Sequence, residues 1–367
     1  MRWFLALVTI LPGLLRSADD VPDPIVLDAA RMRAALTPAD VGEKHYIDLT
    51  TPFAITVIEG AVVGGHAVVI ETDGDDYDAP VPGAPVRIAG EQVATFYHAD
   101  HGIIFGPVAQ GLAIDLDVEP GAFALPLTGE PYPLVVTHAR NHICSAHDRG
   151  VLAWRSRRAW SLPAQGRTRL EIVDADVDGS IGSGDGIAPA GGRVFAPLRP
   201  FFGTPRALRR VPGIAAVDPP ADTVLGRVRL APGAGEPAVT LALVGERASA
   251  VVGADEPEAL LPAGRYTLAY GLLVGRDGPL AGILPPTDGE LALTVTAGES
   301  VTLTLAPPYT LAGSWQDDFG DLILDHDSLH VVGRSGERYV SLDLIEEPTV
   351  ALRQGEILLA TGQAEYG

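Results

Sequence analysis

The chain has 367 residues, 47% of them hydrophobic, with 42 glycines, 31 prolines and a formal net charge of −21. The apolar content excludes a disordered polymer, and the length calls for more than one domain. The acidity argues against nucleic acid as a partner, because phosphate binding needs a positive surface, and it disfavours adsorption to anionic membranes.

The chain opens with Arg2, an apolar run from Trp3 to Leu15, and Ser17-Ala18 ahead of Asp19-Asp20. This order matches a secretory signal over residues 1–18, and the run is too short to span a bilayer. Arg16 departs from the pattern, since it stands at −3 if cleavage follows Ala18. The expectation is an exported protein, periplasmic, cell-surface or extracellular. Cys144 is the only cysteine, so no internal disulfide is available and stability falls to packing and metal.

An alanine-rich stretch over 25–36 predicts one short helix. Beyond it, short β-branched runs separated by Gly, Pro or Asp predict strands at 47–49, 53–59, 67–71, 86–88, 92–97, 103–105, 113–118 and 134–137. Residues 19–150 are therefore expected to form an N-terminal β-rich domain. Residues 151–221 form a second β segment, in which Thr204-Pro205 offers a capping side chain before proline and predicts a single helical turn. Over 222–308 the period-two alternation is clearest, at 224–230, 238–244, 266–273, 291–295 and 301–305. Residues 296–300 read as the turn of a hairpin on a sandwich core. Runs at 322–324, 329–332, 339–344 and 357–360 predict a small Ig-like β-domain over 309–367. The fold class is all-β and multi-domain, built of antiparallel β-sandwich modules.

One motif carries a physical mechanism. Residues 174–185 read Asp-Ala-Asp-Val-Asp-Gly-Ser-Ile-Gly-Ser-Gly-Asp. Carboxylates at positions 1, 3 and 5, a glycine at 6 and an apolar residue at 8 fit a twelve-residue calcium loop of the EF-hand type. Asp174, Asp176 and Asp178 supply side-chain oxygens, Ser180 its carbonyl, and Asp185 closes the shell. Calcium needs six to eight hard oxygens, and alternate residues of a curled loop provide them. Asp185 stands where a bidentate glutamate is usual, and the preceding 168–173 reads as a strand, so the loop lies in a β context. A second acidic group, Asp73, Asp75, Asp76 and Asp78, lacks the pattern and reads as a solvated hairpin tip.

Other constellations are less specific. His98, His101, His142, Cys144 and His147 offer zinc or copper donors, but their spacings match no ligand motif; only His142 and Cys144 stand two apart, as on one face of a strand. Arginine is dense between Arg149 and Arg210, including Arg155, Arg157, Arg158 and Arg209. That density reads as solvated faces pairing with acidic neighbours, or alternatively as a patch for an acidic glycan. Gly-x-Ser-x-Gly, the zinc-protease helix and a glycine-rich phosphate cradle are all missing from the sequence.

Leu261-Pro-Ala-Gly-Arg-Tyr-Thr-Leu268 and Thr296-Ala-Gly-Glu-Ser-Val-Thr-Leu-Thr-Leu305, followed by Pro307-Pro308, resemble the carboxypeptidase regulatory-like (prealbumin-like) sandwich domains of exported bacterial proteins. The ending from Gly355 to Gly367 resembles that of uncharacterised exported bacterial proteins, some of which carry a strand before an Asp-x-Asp-x-Asp-Gly loop, as 170–179 does. The resemblance implies a sandwich fold over the last two-thirds of the chain and a spacer, stability or adhesion role. The reading overall is a non-enzymatic exported module with a structural Ca²⁺, meeting a surface glycan or protein. A metal- or carboxylate-dependent hydrolase centred in 19–150 and an acidic-glycan binder are the alternatives.

Overall fold

The computed structural model describes residues 21–33, 66–71, 81–82, 86–98, 102–105, 112–114, 122–140, 149–165, 168–214, 224–231, 238–275, 278–286, 289–305, 310–312, 315–318, 321–324, 330–341, 349–354 and 357–363. Strands dominate them, and the one helix among the described residues is Ala29–Arg33. Of the helix expected over 25–36, residues 29–33 are helical and 34–36 lie outside the described residues. Its first residues are taken by Pro24–Val26, which pairs with Arg158–Gln165, Ile25 lying opposite Ala159. The helix starts after Asp28, whose carboxylate accepts the Arg31 amide at 3.1 Å as an N-cap.

Most predicted strands form, including Thr168–Val173 with the expected bounds. The runs at 47–49 and 53–59 lie outside the described residues. Thr204 opens no helical turn. Its amide donates to the Ala207 carbonyl at 2.9 Å and its hydroxyl accepts the Ala207 amide at 3.1 Å. These bonds close a tight connection between Phe201–Gly203 and Leu208–Arg210, which pair antiparallel. The hydroxyl caps a β-turn, the other use of the same short side chain.

Three stacked sheets can be traced from the alternation of side chains across strands. A five-stranded sheet runs Pro24–Val26, Arg158–Gln165, Thr168–Val173, Gly186–Pro189, Ala196–Pro197. On one face Ala159, Val173, Ala188 and Phe195 pack with Leu27, Met32 and Val135. On the other, Trp160, Leu162, Leu170, Ile172 and Ile187 meet Phe202, Ala242, Val251, Tyr270 and Leu272 of a ten-stranded sheet. The opposite face of that larger sheet presents Leu241, Leu243, Ala250, Val252 and Leu268 to a three-stranded sheet carrying Val228, Ala259 and Leu261.

The long strand Gly264–Gly275 serves both cores. Tyr266 and Leu268 face the three-stranded sheet, whereas Tyr270 and Leu272 face the five-stranded one. A strict alternation would keep all four on one side. The switch comes from a bulge: Leu243 pairs with Leu268 and Ala242 with Tyr270, so Ala269 is an extra residue.

The expected hairpin across 296–300 does not form. Ala292–Val295 pairs antiparallel with Gly264–Gly275, and Ser300–Leu303 pairs in parallel with Leu225–Leu230. The turn is a corner that carries the chain between sheets, fastened by Gly298 (φ 75°), whose amide donates to the Leu225 carbonyl at 2.9 Å. The facing of the two strands is as read, with Leu293 and Val295 buried and Val301 and Leu303 packed on the same core.

The ten-stranded sheet runs across residues 222 and 308. Phe201–Gly203 pairs in parallel with Ala248–Gly253, and Gly278–Leu284 pairs with Arg338–Ser341.

Candidate metal centre

The acidic loop is a hairpin tip. Thr168–Val173 and Gly186–Pro189 pair with Val173 opposite Gly186, so Asp174 and Asp185 leave the ladder side by side. This brings the first and twelfth loop positions together without any helix. The curl between them needs left-handed backbone at two positions, Val177 (φ 54°) and Gly179 (φ 85°). Glycine accepts this freely; a β-branched valine does not, and is held there by its burial.

Asp174, Asp176 and Asp185 each bring a carboxylate oxygen within 4.8 Å of the others, an arrangement that can hold a metal ion. Asp174 and Asp185 are both 0% exposed. Asp174 Oδ2 accepts the Tyr132 hydroxyl at 2.5 Å and the Gly179 amide at 2.9 Å. Its Oδ1 is buried with no partner among the described residues. Asp185 Oδ1 accepts the Ala175 amide at 2.9 Å and Oδ2 the Gly182 amide at 2.8 Å. Asp176 lies over Gly184, where a Cβ would stand 2.1 Å from its Oδ2.

Three carboxylates without a neighbouring cation disfavour ionisation of one another. Burial pushes Asp174 up to about 7, and the charges of Asp176 and Asp178 add to the rise. Burial pushes Asp185 up to about 9, with Asp174 and Asp176 contributing. Asp176 is raised by burial and then by Asp178. Tyr132 is raised by its own burial and by the Asp174 charge, so its hydroxyl keeps its proton and donates it.

Of the four carboxylates in the predicted shell, three are thus gathered, Asp174, Asp176 and Asp185. Asp178 and Ser180 are exposed. Ser180 donates to Asp178 Oδ1 from its amide at 2.7 Å and its hydroxyl at 2.8 Å. Sequence reasoning missed Tyr132 and Ser156, whose hydroxyls lie 2.8 Å apart behind Asp174. Both come from strands distant in the chain, and nothing in the local pattern points to them.

His98 closes the strand Thr95–His98. His101, His142, Cys144, His147 and the acidic group from Asp73 to Asp78 lie outside the described residues. Several arginines of the basic stretch act within the fold. Arg157 Nε donates to the Leu27 carbonyl at 2.9 Å. Arg199 Nε reaches the Gly245 carbonyl at 3.1 Å. Arg209 spans the Thr168 and Pro163 carbonyls at 3.1 and 2.7 Å. Arg158 stacks 6.0 Å from the rings of Tyr132 and Trp160. These guanidiniums satisfy strand-end carbonyls and cover aromatic faces, a use of arginine that needs no external anion.

No protein-family model matches the chain, and no match was found among curated proteins or solved structures.

Proposed function

We propose that the protein is an exported, non-enzymatic scaffold or adhesion module whose 174–185 loop takes a structural Ca²⁺. The observation that carries the metal reading is the Asp174 carboxylate, wholly buried with Oδ1 unpartnered inside a group of three acids. A buried charge left this way costs several kcal/mol unless something compensates it. A divalent cation does so directly.

The donors are all hard oxygens, which suit calcium or magnesium rather than zinc or copper. Oxygens up to 4.8 Å apart can straddle an ion at the 2.3–2.6 Å typical of calcium. Magnesium requires near-ideal octahedral geometry at about 2.0–2.1 Å, which fits a loosely spaced set less well. Export follows from the signal-like start and agrees with the millimolar calcium that weak loop sites require. The stacked sheets supply a stiff body, and the role as scaffold or adhesion unit rests on that body and on the absence of catalytic motifs from the sequence.

The test is thermal melting of the metal-stripped protein with and without millimolar calcium. Free calcium at tenfold above the dissociation constant stabilises by about 1.4 kcal/mol. That corresponds to a rise of about 3–6 °C for a unit of 150–250 residues. Identical melts with and without calcium would overturn the metal reading.

A further inference from the structure

We propose that the ion in the 174–185 loop is a pin that fixes the N-terminal β-elements to the sandwich, so that calcium controls their docking. The inference rests on the calcium reading above and concerns what the site regulates. Two separate N-terminal elements end on this loop. The first is the hairpin of Val86–Ile88 and Glu91–Val93, whose tip is Ala89-Gly90. The Ala89 amide donates to the Val177 carbonyl at 2.7 Å. Gly179 lies directly against it, since a Cβ there would stand 3.1 Å from the Ala89 Cβ. The second is the strand Tyr132–Arg140, whose first residue donates its hydroxyl to Asp174.

The two elements are themselves joined. Thr128, in the turn before Tyr132, donates to the Glu91 carboxylate from its amide at 3.0 Å and its hydroxyl at 2.8 Å. Loop positions 1, 4 and 6 therefore meet both elements, beside the packing of Val135 on the five-stranded sheet, and position 1 is also a proposed metal ligand.

The backbone conformation supports the same conclusion. Ala89 (φ 48°) and Val177 (φ 54°) are the two non-glycine residues in the left-handed region among the described residues, and they are hydrogen-bonded to each other. That conformation is unfavourable for any L-residue with a side chain, most of all for the β-branched valine. Such strain persists only where the surroundings impose it. Where Asp174, Asp176 and Asp185 are ionised without a cation, their repulsion favours opening of the loop. Opening would move the Val177 carbonyl and the Asp174 carboxylate away from both elements. With the cation, the loop closes and both attachments form together.

The experiment is hydrogen exchange on the full chain, metal-stripped or in millimolar calcium, with calcium binding measured by calorimetry on the same sample. The expected result is exchange about tenfold slower over 86–93 when calcium binds, a size ordinary for coupling between two sites. Exchange over Ala238–Gly245, a strand in the sandwich, should be unchanged. Coupling is reciprocal, so Ala89→Pro, which removes the amide and forbids positive φ, should weaken calcium binding severalfold. Calcium binding with no change over 86–93 would overturn the pin and leave the metal site standing. Failure to bind calcium at all would overturn both.

Discussion

Replacing Asp174 by asparagine should have opposite effects on the metal-free and the calcium-bound protein. The folded carboxyl is raised to about 7 by burial, well above its ordinary value in an unfolded chain. A group raised in this way contributes stability that is full below pH ~4 and is lost as pH rises through its folded pKa. Asp185, raised to about 9, extends the loss further. Metal-stripped protein should therefore weaken between about pH 4 and pH 9, the reverse of an ordinary salt-bridged aspartate.

Each pH unit of elevation corresponds to about 1.4 kcal/mol, so ionised Asp174 costs the metal-free fold roughly 4 kcal/mol at pH 8. Asparagine removes that charge. Its carbonyl can take the place of Oδ2, keeping the bonds from Tyr132 and Gly179, and its amide group falls where Oδ1 has no partner. Burying that unpaired amide costs about 1–3 kcal/mol, leaving a net gain of about 1–3 kcal/mol. At pH 8 without metal, Asp174→Asn should melt several degrees above the parent; at pH 4 it should not. In calcium it should gain nothing, because a charged ligand is gone. Calorimetric melts at both pH values, with and without calcium, test all four cases. A variant less stable than the parent at pH 8 without metal would refute the argument.

Two further outcomes rest on close approaches of backbone. Gly184→Ala leaves every carboxylate in the chain but drives a methyl into Asp176, 2.1 Å from Oδ2 and 2.7 Å from Cγ. Calcium affinity by titration calorimetry should fall about 10–100-fold, as when a ligand is mispositioned by its surroundings. Gly271→Ala would place a methyl 2.6 Å from Leu241 Cδ2 and 2.7 Å from the Thr240 carbonyl oxygen. Overpacking of that kind should cost about 1–3 kcal/mol, seen as a lower urea midpoint with an unchanged slope.

The residues that sequence reading placed well are those whose information is local. Period-two alternation marked the faces of Ala292–Val295 and Ser300–Leu303, because burial on one side is written into neighbouring residues. The same alternation does not say which strand lies alongside. The turn at Gly298 therefore read as a hairpin, whereas its amide is bonded to Leu225, far earlier in the chain. The acidic loop was legible from its spacing, and three of its acids do converge. Asp178 has the right position in the motif, and its Oδ1 accepts the Ser180 amide and hydroxyl. Tyr132, Ser156 and Ala89 could not be found in this way, since their relation to the loop exists only after folding.

The extra residue at Ala269 also bears on how the protein would respond to being stretched. Because of it, one uninterrupted length of backbone, Gly264–Gly275, is embedded first in one core and then in the next. A pull entering through the three-stranded sheet passes from Glu258–Pro262 directly into Gly264–Gly275, and the five-stranded layer is held to that strand by the packing of Tyr270 and Leu272.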